Sequence, residues 1–425
     1  MPGVKGNIII RNAAELVTCS GFEAKKGRAM SDLGIIRDGA VVIEKGFITR
    51  VGKTDDVLAG FNPSGFAVID ASDKAVLPGF VDSHTHFLFG GFRAEEFSWR
   101  LKGMSYMEIM SRGGGIASTV EATRKARPHE LMTLGRRRLD SMLAFGVTTV
   151  EGKSGYGLDA QCEVKQLEVM GNLDAIHPVD IARTFLGAHA VPEACRHNPD
   201  SFIDYLMGEV LPTVAERKLA EFCDVFCEKG VFSVDQSRRL LQKALSLGLE
   251  VKVHADEMTQ LGGAELAAEL KALSADHLLH ASHEGIRQMA EAGVVATLLP
   301  GTAFGLKEPY APARVMIDEG CPVALATDFN PGSCFSESVP LMFALATLYM
   351  GMTPEEAVTA FTINGAAAIG RADRIGSLDV GKMGDAVLLE FPSYLFIPYH
   401  IGVNSVEKVV KKGEIVIDRS SGIEG

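Results

Sequence analysis

The feature that most constrains this chain is an alternation of apolar, strand-length segments with longer amphipathic stretches, sustained from Val76 to Thr327. Eight segments read as strands: Val76 to Phe87, Val147 to Glu151, Ile181 to Leu186, Val225 to Cys227, Glu250 to His254, Ala275 to Leu279, Val294 to Leu299 and Val323 to Thr327. Between them, Pro128 to Phe145, Gln161 to Ala175, Val234 to Leu247, Gly263 to Leu273, Glu284 to Ala292 and Ala311 to Gly320 carry helical periodicity. Parallel strands need crossover connections of about a dozen residues or more, which these helices supply. The repeat therefore predicts an α/β protein built on a (β/α)8 TIM-type barrel.

The two chain ends read differently. Asn7 to Ile10, the hairpin Gly39 to Val51 and Phe66 to Ile69 are short β pieces, and Asp385 to Glu390 and Val406 to Ile417 resemble them. The expected organisation is a composite β domain from residues 1–75 and 374–425, flanking a barrel over residues 76–373. After the eighth strand, Thr353 to Ile369 reads as a helical stretch.

In a parallel barrel, side chains at the carboxyl ends of the strands converge on one face. The first strand ends in His84-Thr85-His86, and period two puts both rings on the same side, as two ligands of one cation require. His189, His254, His277 and Asp328 also close strands, so five of the eleven histidines sit at strand ends. Alone, Asp328 would read as a helix cap and His277 as a core histidine; their coincidence argues for a site. His84, His86, His254 and Asp328 form an N3O set suited to zinc or a similar divalent ion, with a position left for water. Glu257 and His277 lie just beyond and are candidates for proton transfer.

Composition limits the partners. The net charge is −12 and no lysine- or arginine-rich run occurs, which argues against nucleic acid or an anionic membrane and leaves a small-molecule substrate. Seven scattered cysteines without a C-x-x-C suggest reduced thiols and a cytoplasmic protein. The N-terminus lacks a signal-like core, and no segment approaches the length of a membrane span. No phosphate-binding glycine loop is present, so nucleotide cofactors are not implied.

The motifs PGFVDSHTH, KVHADE, SADH and ATDFNPGS resemble those of the amidohydrolase superfamily. FGGFRAEEFSWRLKGMSYMEI, SRGGGIASTV, EGKSGYGLD, GAHAVP, LLPGTAFGL and IPYHIGVN are similar to the imidazolonepropionase family within it. The resemblance spans roughly Leu77 to Gly413 and implies a distorted barrel with a β-sandwich domain from both ends. It implies hydrolysis of 4-imidazolone-5-propanoate to N-formimidoyl-L-glutamate, a step of histidine degradation, and a homodimer. It also implies metal ligands at His84, His86, His254 and Asp328, and substrate contacts at Arg93, Tyr106, Tyr156, His189, Glu257, Asn330, Gly332 and Ser333, with His277 near the reacting centre. Thr259-Gln260 departs from the family pattern.

On that reading Arg93 anchors the propanoate as a bidentate fork, an activated water attacks the ring carbonyl, and His189 helps to stabilise the oxyanion. Asp328, His277 or Glu257 handles the proton. Gly113-Gly114-Gly115 and Gly155 read as loops that bring backbone close to a ligand. The alternatives are another cyclic amidase or deaminase on the same barrel, or a scaffold that kept the fold and lost its chemistry. Lys229, after the fourth strand, is placed on a loop rather than in the barrel mouth, so one metal per chain is expected, zinc before iron.

Overall fold

The structure, a computed structural model, describes residues 6–104, 108–109 and 112–420. Eight parallel strands follow one another in sequence order: Phe80–Thr85, Val147–Lys153, Asp180–Ala188, Phe222–Cys227, Glu250–Ala255, Ser274–His277, Val295–Leu298 and Val323–Leu325. The seam between the last and the first is distorted. It closes through the segment after the eighth strand: Thr85 bridges Phe329, the Asp328 N–H donates to the His84 carbonyl at 3.0 Å, and the His86 N–H donates to the Phe329 carbonyl at 2.9 Å. Buried Asp82 reinforces the seam, accepting from the Thr327 N–H at 2.9 Å and its hydroxyl at 2.6 Å. Closure of the barrel is thus what carries Asp328 to the two histidines of the first strand.

The chain ends form two β layers. A six-stranded sheet joins Glu414–Asp418, Val406–Lys411 and Ala386–Leu389 to Ala75–Pro78, Glu15–Val17 and Ile35–Ile36. A four-stranded sheet holds Phe47–Lys53, Gly39–Glu44, Ile8–Ala13 and Ala67–Asp70. Ile8, Ile10, Leu16, Val41, Ile43, Val76, Leu388 and Val410 fill the space between them. The expected early hairpin turns at Lys45-Gly46, with φ of 51° and 85°, the left-handed pair of a two-residue turn that matches strand twist.

Two expected elements are broken. The strand expected from Val76 to Phe87 is two: Ala75–Pro78 pairs with Ala386–Leu389 in the outer sheet, and Phe80–Thr85 opens the barrel. Pro78 has no N–H to give a ladder, and Gly79 packs so closely on the second strand that a β carbon there would stand 2.3 Å from Thr148 Oγ1. The helix expected from Thr353 to Ile369 is split into Pro354–Phe361 and Ile363–Ala367. At Thr362 (φ −120°, ψ −100°) the chain leaves the helical region while its hydroxyl donates to the Val358 carbonyl at 2.7 Å. No helix among the described residues is long and apolar enough to cross a membrane.

Candidate active site

Strand alternation and the closed seam bring five side chains together at the carboxyl end of the barrel. His84, His86 and His254 each offer a ligand atom within 4.8 Å of the others, and so do His84, His277 and Asp328. Asp328 Oδ1 lies 3.5 Å from His84 Nε2 and 3.6 Å from His86 Nε2, while its Oδ2 accepts from the Thr302 hydroxyl at 2.5 Å. Burial pushes the Asp328 carboxyl up to about 6. All five side chains are buried.

The histidines are prepared as ligands. Burial holds His84 and His86 well below the usual imidazole range, so both rings are neutral and offer lone pairs. Asp276 Oδ2 takes the His84 Nδ1 proton at 2.7 Å, and Asp224 Oδ2 lies 2.8 Å from His254 Nδ1. The Asp276 carboxylate fixes the His84 tautomer that leaves Nε2 facing the centre, and Asp224 stands in ion-pair contact with His254. Burial alone would lower His254, but the charge of Asp224 raises it. The buried atoms His84 Nε2, His86 Nδ1, His254 Nδ1 and Nε2, and His277 Nδ1 have no hydrogen-bond partner. Buried polar atoms are rarely left so, and imidazole nitrogens converging on a carboxylate fit a divalent metal.

Beneath them lies a layer that strand-end reasoning misses. Lys153 Nζ donates to Glu151 Oε1 at 2.9 Å, Asp224 Oδ2 at 2.7 Å and Asp276 Oδ2 at 3.2 Å. Lys252 Nζ donates to Glu151 Oε2 at 2.6 Å. Asp224 and Asp276 stay below the usual carboxylate range despite burial: the His254 and Lys153 charges hold Asp224 down, and Lys252, Lys153 and His254 hold Asp276 down. Period two could have found the layer, because Lys252 stands two residues before His254 and Asp82 two before His84, on the same strand faces.

Around the centre, His189 stacks on His86 with ring centroids 4.9 Å apart, and Tyr156 lies 5.3 Å from the His189 ring. Gly155 (φ 106°) is needed for that approach, since a β carbon there would meet His189 Nδ1 at 2.9 Å. The close approach at Gly155 thus serves a side chain. His189 Nδ1 sits 3.1 Å from the Gly155 carbonyl, so Nδ1 carries the proton. Burial drives this histidine down to about 3, leaving a neutral ring whose Nε2 accepts and does not donate. With its proton turned to the Gly155 carbonyl, the ring has no N–H left for the oxyanion expected of it.

Glu257 Oε2 is 3.5 Å from His277 Nε2, and burial with the nearby Asp328 charge pushes the Glu257 carboxyl up to about 8. His277 and Asp328 both take positive φ, 76° and 49°, strained backbone of the kind concentrated at functional sites. Thr259, in the segment that departs from the family pattern, is pinned to Glu228 through its N–H and hydroxyl.

Arg93 is less free than its sequence position suggested. Its Nε donates to Glu96 Oε2 at 2.9 Å, its Nη2 also engages Glu96, and Glu96 accepts the Gly115 N–H at 2.7 Å. The glycine triplet thus orients the partner of Arg93. A β carbon at Gly332 would stand 2.3 Å from Arg93 Nη1, so the guanidinium lies against the Asn330-to-Ser333 loop. Asn330 Oδ1 holds that loop by accepting the N–H groups of Gly332 and Ser333, each at 2.8 Å. Tyr106 lies outside the described residues. Lys229 is exposed on the turn after the fourth strand, as expected.

The profile of the amidohydrolase family matches residues 75–416. An imidazolonepropionase of Clostridium tetani is 62% identical over 416 residues, covering 98% of this chain and 99% of that protein. One from Parabacteroides distasonis is 60% identical over 408 residues, with 96% and 98% covered. The chain belongs to the imidazolonepropionase family. Among solved structures, a triazine hydrolase variant superposes with a TM-score of 0.73 at 15% identity, covering 99% of this chain and 97% of that one. An adenosine deaminase from Xanthomonas campestris with bound zinc gives 0.70 at 19% identity, covering 99% and 94%. Both share the fold: a distorted (β/α)8 barrel with a β-sandwich built from the chain ends.

Proposed function

We propose a residue-level course for the reaction this chain carries out, hydrolysis of the ring amide of 4-imidazolone-5-propanoate to N-formimidoyl-L-glutamate in histidine degradation. The observation that carries it is the convergence of His84, His86, His254 and Asp328. One divalent metal per chain, zinc before iron, would be held by those four; it supplies Lewis acidity that makes hydroxide available from water near pH ~7. The water oxygen adds to the ring carbonyl carbon, the carbon–nitrogen bond breaks, and the departing nitrogen takes a proton.

Glu257, protonated at neutral pH by burial, is the donor to that nitrogen, and His277 sets its orientation across 3.5 Å. Asp328 accepts the proton of the attacking water, its other oxygen held by Thr302. His189 Nε2 accepts an N–H of the substrate ring, and Tyr156 closes the wall beside it. Arg93 carries the propanoate on the edge that Glu96 leaves open, with Asn330, Gly332 and Ser333 shaping that end and Tyr106 assigned to it from the family resemblance. We assign the assembly as a cytoplasmic homodimer; the free cysteines agree with a reducing compartment, and light scattering on the purified chain tests the dimer.

Fresh imidazolone propanoate loses its ultraviolet absorbance as the ring opens. Loss no faster than the spontaneous rate, with metal bound, refutes the assignment. Arg93→Ala separates this substrate from an uncharged heterocycle: KM rises more than tenfold for the former and is unchanged for the latter.

A further inference from the structure

The ammonium of Lys153 sits at a junction that the reaction above leaves without a role. Its three N–H donors are all taken by carboxylates, and two of those oxygens are shared. Asp224 Oδ2 meets Lys153 Nζ at 2.7 Å and His254 Nδ1 at 2.8 Å. Asp276 Oδ2 meets Lys153 Nζ at 3.2 Å and His84 Nδ1 at 2.7 Å. One cation therefore ties together the two carboxylates that hold the two imidazoles. The remaining oxygens are fixed from elsewhere: Asp224 Oδ1 by the Val225 N–H at 2.7 Å, Asp276 Oδ1 by the Ser274 hydroxyl at 2.6 Å. The donor sets His84, Glu151, Asp276 and Asp224, His254, Asp276 each converge within 4.8 Å, as cation ligands would, and the cation among them is Lys153.

We propose that Lys153 is a positioning residue of the metal centre, holding Asp224 and Asp276 so that His84 and His254 both present Nε2 to one ion. Without the ammonium, three fully buried carboxylates face one another across the barrel with only Lys252 to balance them. They would then turn apart, and the two imidazoles in contact with them would lose their orientation. The inference rests on the metal-site reading above.

The test compares Lys153→Met with Lys252→Met. Both remove a fully buried ammonium bonded to Glu151, but only Lys153 bonds to Asp224 and Asp276. Metal affinity is measured by competition with a chromogenic chelator, and ligand geometry by the visible spectrum of the cobalt(II)-substituted proteins. Lys153→Met should bind metal about 10- to 100-fold more weakly and alter the cobalt bands. Lys252→Met, which breaks no bond to Asp224 or Asp276, should bind metal at least about fivefold more tightly than Lys153→Met and keep the wild-type bands, whatever its unfolding midpoint. Equal losses in the two variants, or none in Lys153→Met, overturn the proposal. If Lys153→Met does not fold, Lys153→Gln takes its place; failure of both beside a folded Lys252→Met shows a role in stability alone and also overturns it. A wild-type protein that binds no metal refutes the metal-site reading instead, so the two failures are distinguishable.

Discussion

Gly332→Ala should damage substrate recognition while leaving the fold intact. Gly332 does not take a positive φ, so alanine imposes no backbone strain there. Its β carbon would stand 2.3 Å from Arg93 Nη1 and 2.9 Å from Arg93 Cζ. Carbon contacts become favourable at about 3.5 Å, so the guanidinium must retreat by about 1 Å. It cannot do so freely, because its Nε is bonded to Glu96 and Glu96 to the Gly115 N–H. A bidentate arginine–carboxylate contact is worth about 1.5–3 kcal/mol, which corresponds to about 10- to 150-fold in affinity if the shift abolishes it. The propanoate is remote from the bond that breaks, so the loss should fall on KM with kcat changed less than about threefold. Steady-state kinetics and thermal unfolding measure both, and the midpoint should move by less than about 2 °C. In an Arg93→Ala background the same alanine should cost nothing further, since the two changes act on one contact. A KM within twofold of wild type in folded Gly332→Ala would refute both the placement of Arg93 and its role.

Three further outcomes follow from the geometry. After dialysis against metal-free buffer, His254→Ala and Asp328→Ala should retain no metal while Lys229→Ala keeps one equivalent; elemental analysis giving two equivalents in wild type and one in Lys229→Ala would reject the ligand set. Gly79→Ala should lower the urea midpoint by the equivalent of about 1–3 kcal/mol, because its β carbon would lie 2.3 Å from Thr148 Oγ1 and 2.6 Å from Thr148 Cγ2 in a closed barrel. An unchanged midpoint would mean that the sheet switch at Pro78-Gly79 is slack. In the chelated protein Glu257 titrates at about 8, against ~4.3 for an unfolded glutamate, so between those values the folded chain holds the extra proton. Stability of wild type relative to Glu257→Gln should therefore fall by about 1.4 kcal/mol per pH unit as pH rises toward 8, then level off. Parallel urea midpoints for the two proteins from pH 6 to 9 would contradict the burial of that carboxyl.

What could be read from residue order was whatever depends on period and position along a strand. His84 and His86 share a face because their spacing is two, and His254, His277 and Asp328 close later strands, so the candidate ligands were legible before any contact was known. Position along the chain does not reveal where a backbone approaches another element. Gly79 against Thr148 and Gly332 against Arg93 are close approaches across the fold that escaped a reading made along the chain, and at Gly155 the close approach was read but its partner, the His189 side chain, was not. The same applies to hydrogen-bond partners: Glu96 claims one edge of Arg93, and the Gly155 carbonyl claims the His189 proton, which reverses what that ring can do. The charged layer under the candidate ligands is a different case, because its signal was present and went unused. Asp82, Glu151, Lys153, Asp224, Lys252 and Asp276 interrupt strands that are otherwise apolar, and a barrel interior tolerates a charge only when it is paired. Asp82, raised to about 7 by burial, lies apart at the seam, so Glu151, Asp224 and Asp276 are left to share Lys153 and Lys252, one carboxylate more than the ammoniums beneath His84 and His254. Positive charge among His84, His86 and His254 offsets that excess, a protonated His254 in the metal-free chain, which the Asp224 charge favours, and a divalent cation once bound.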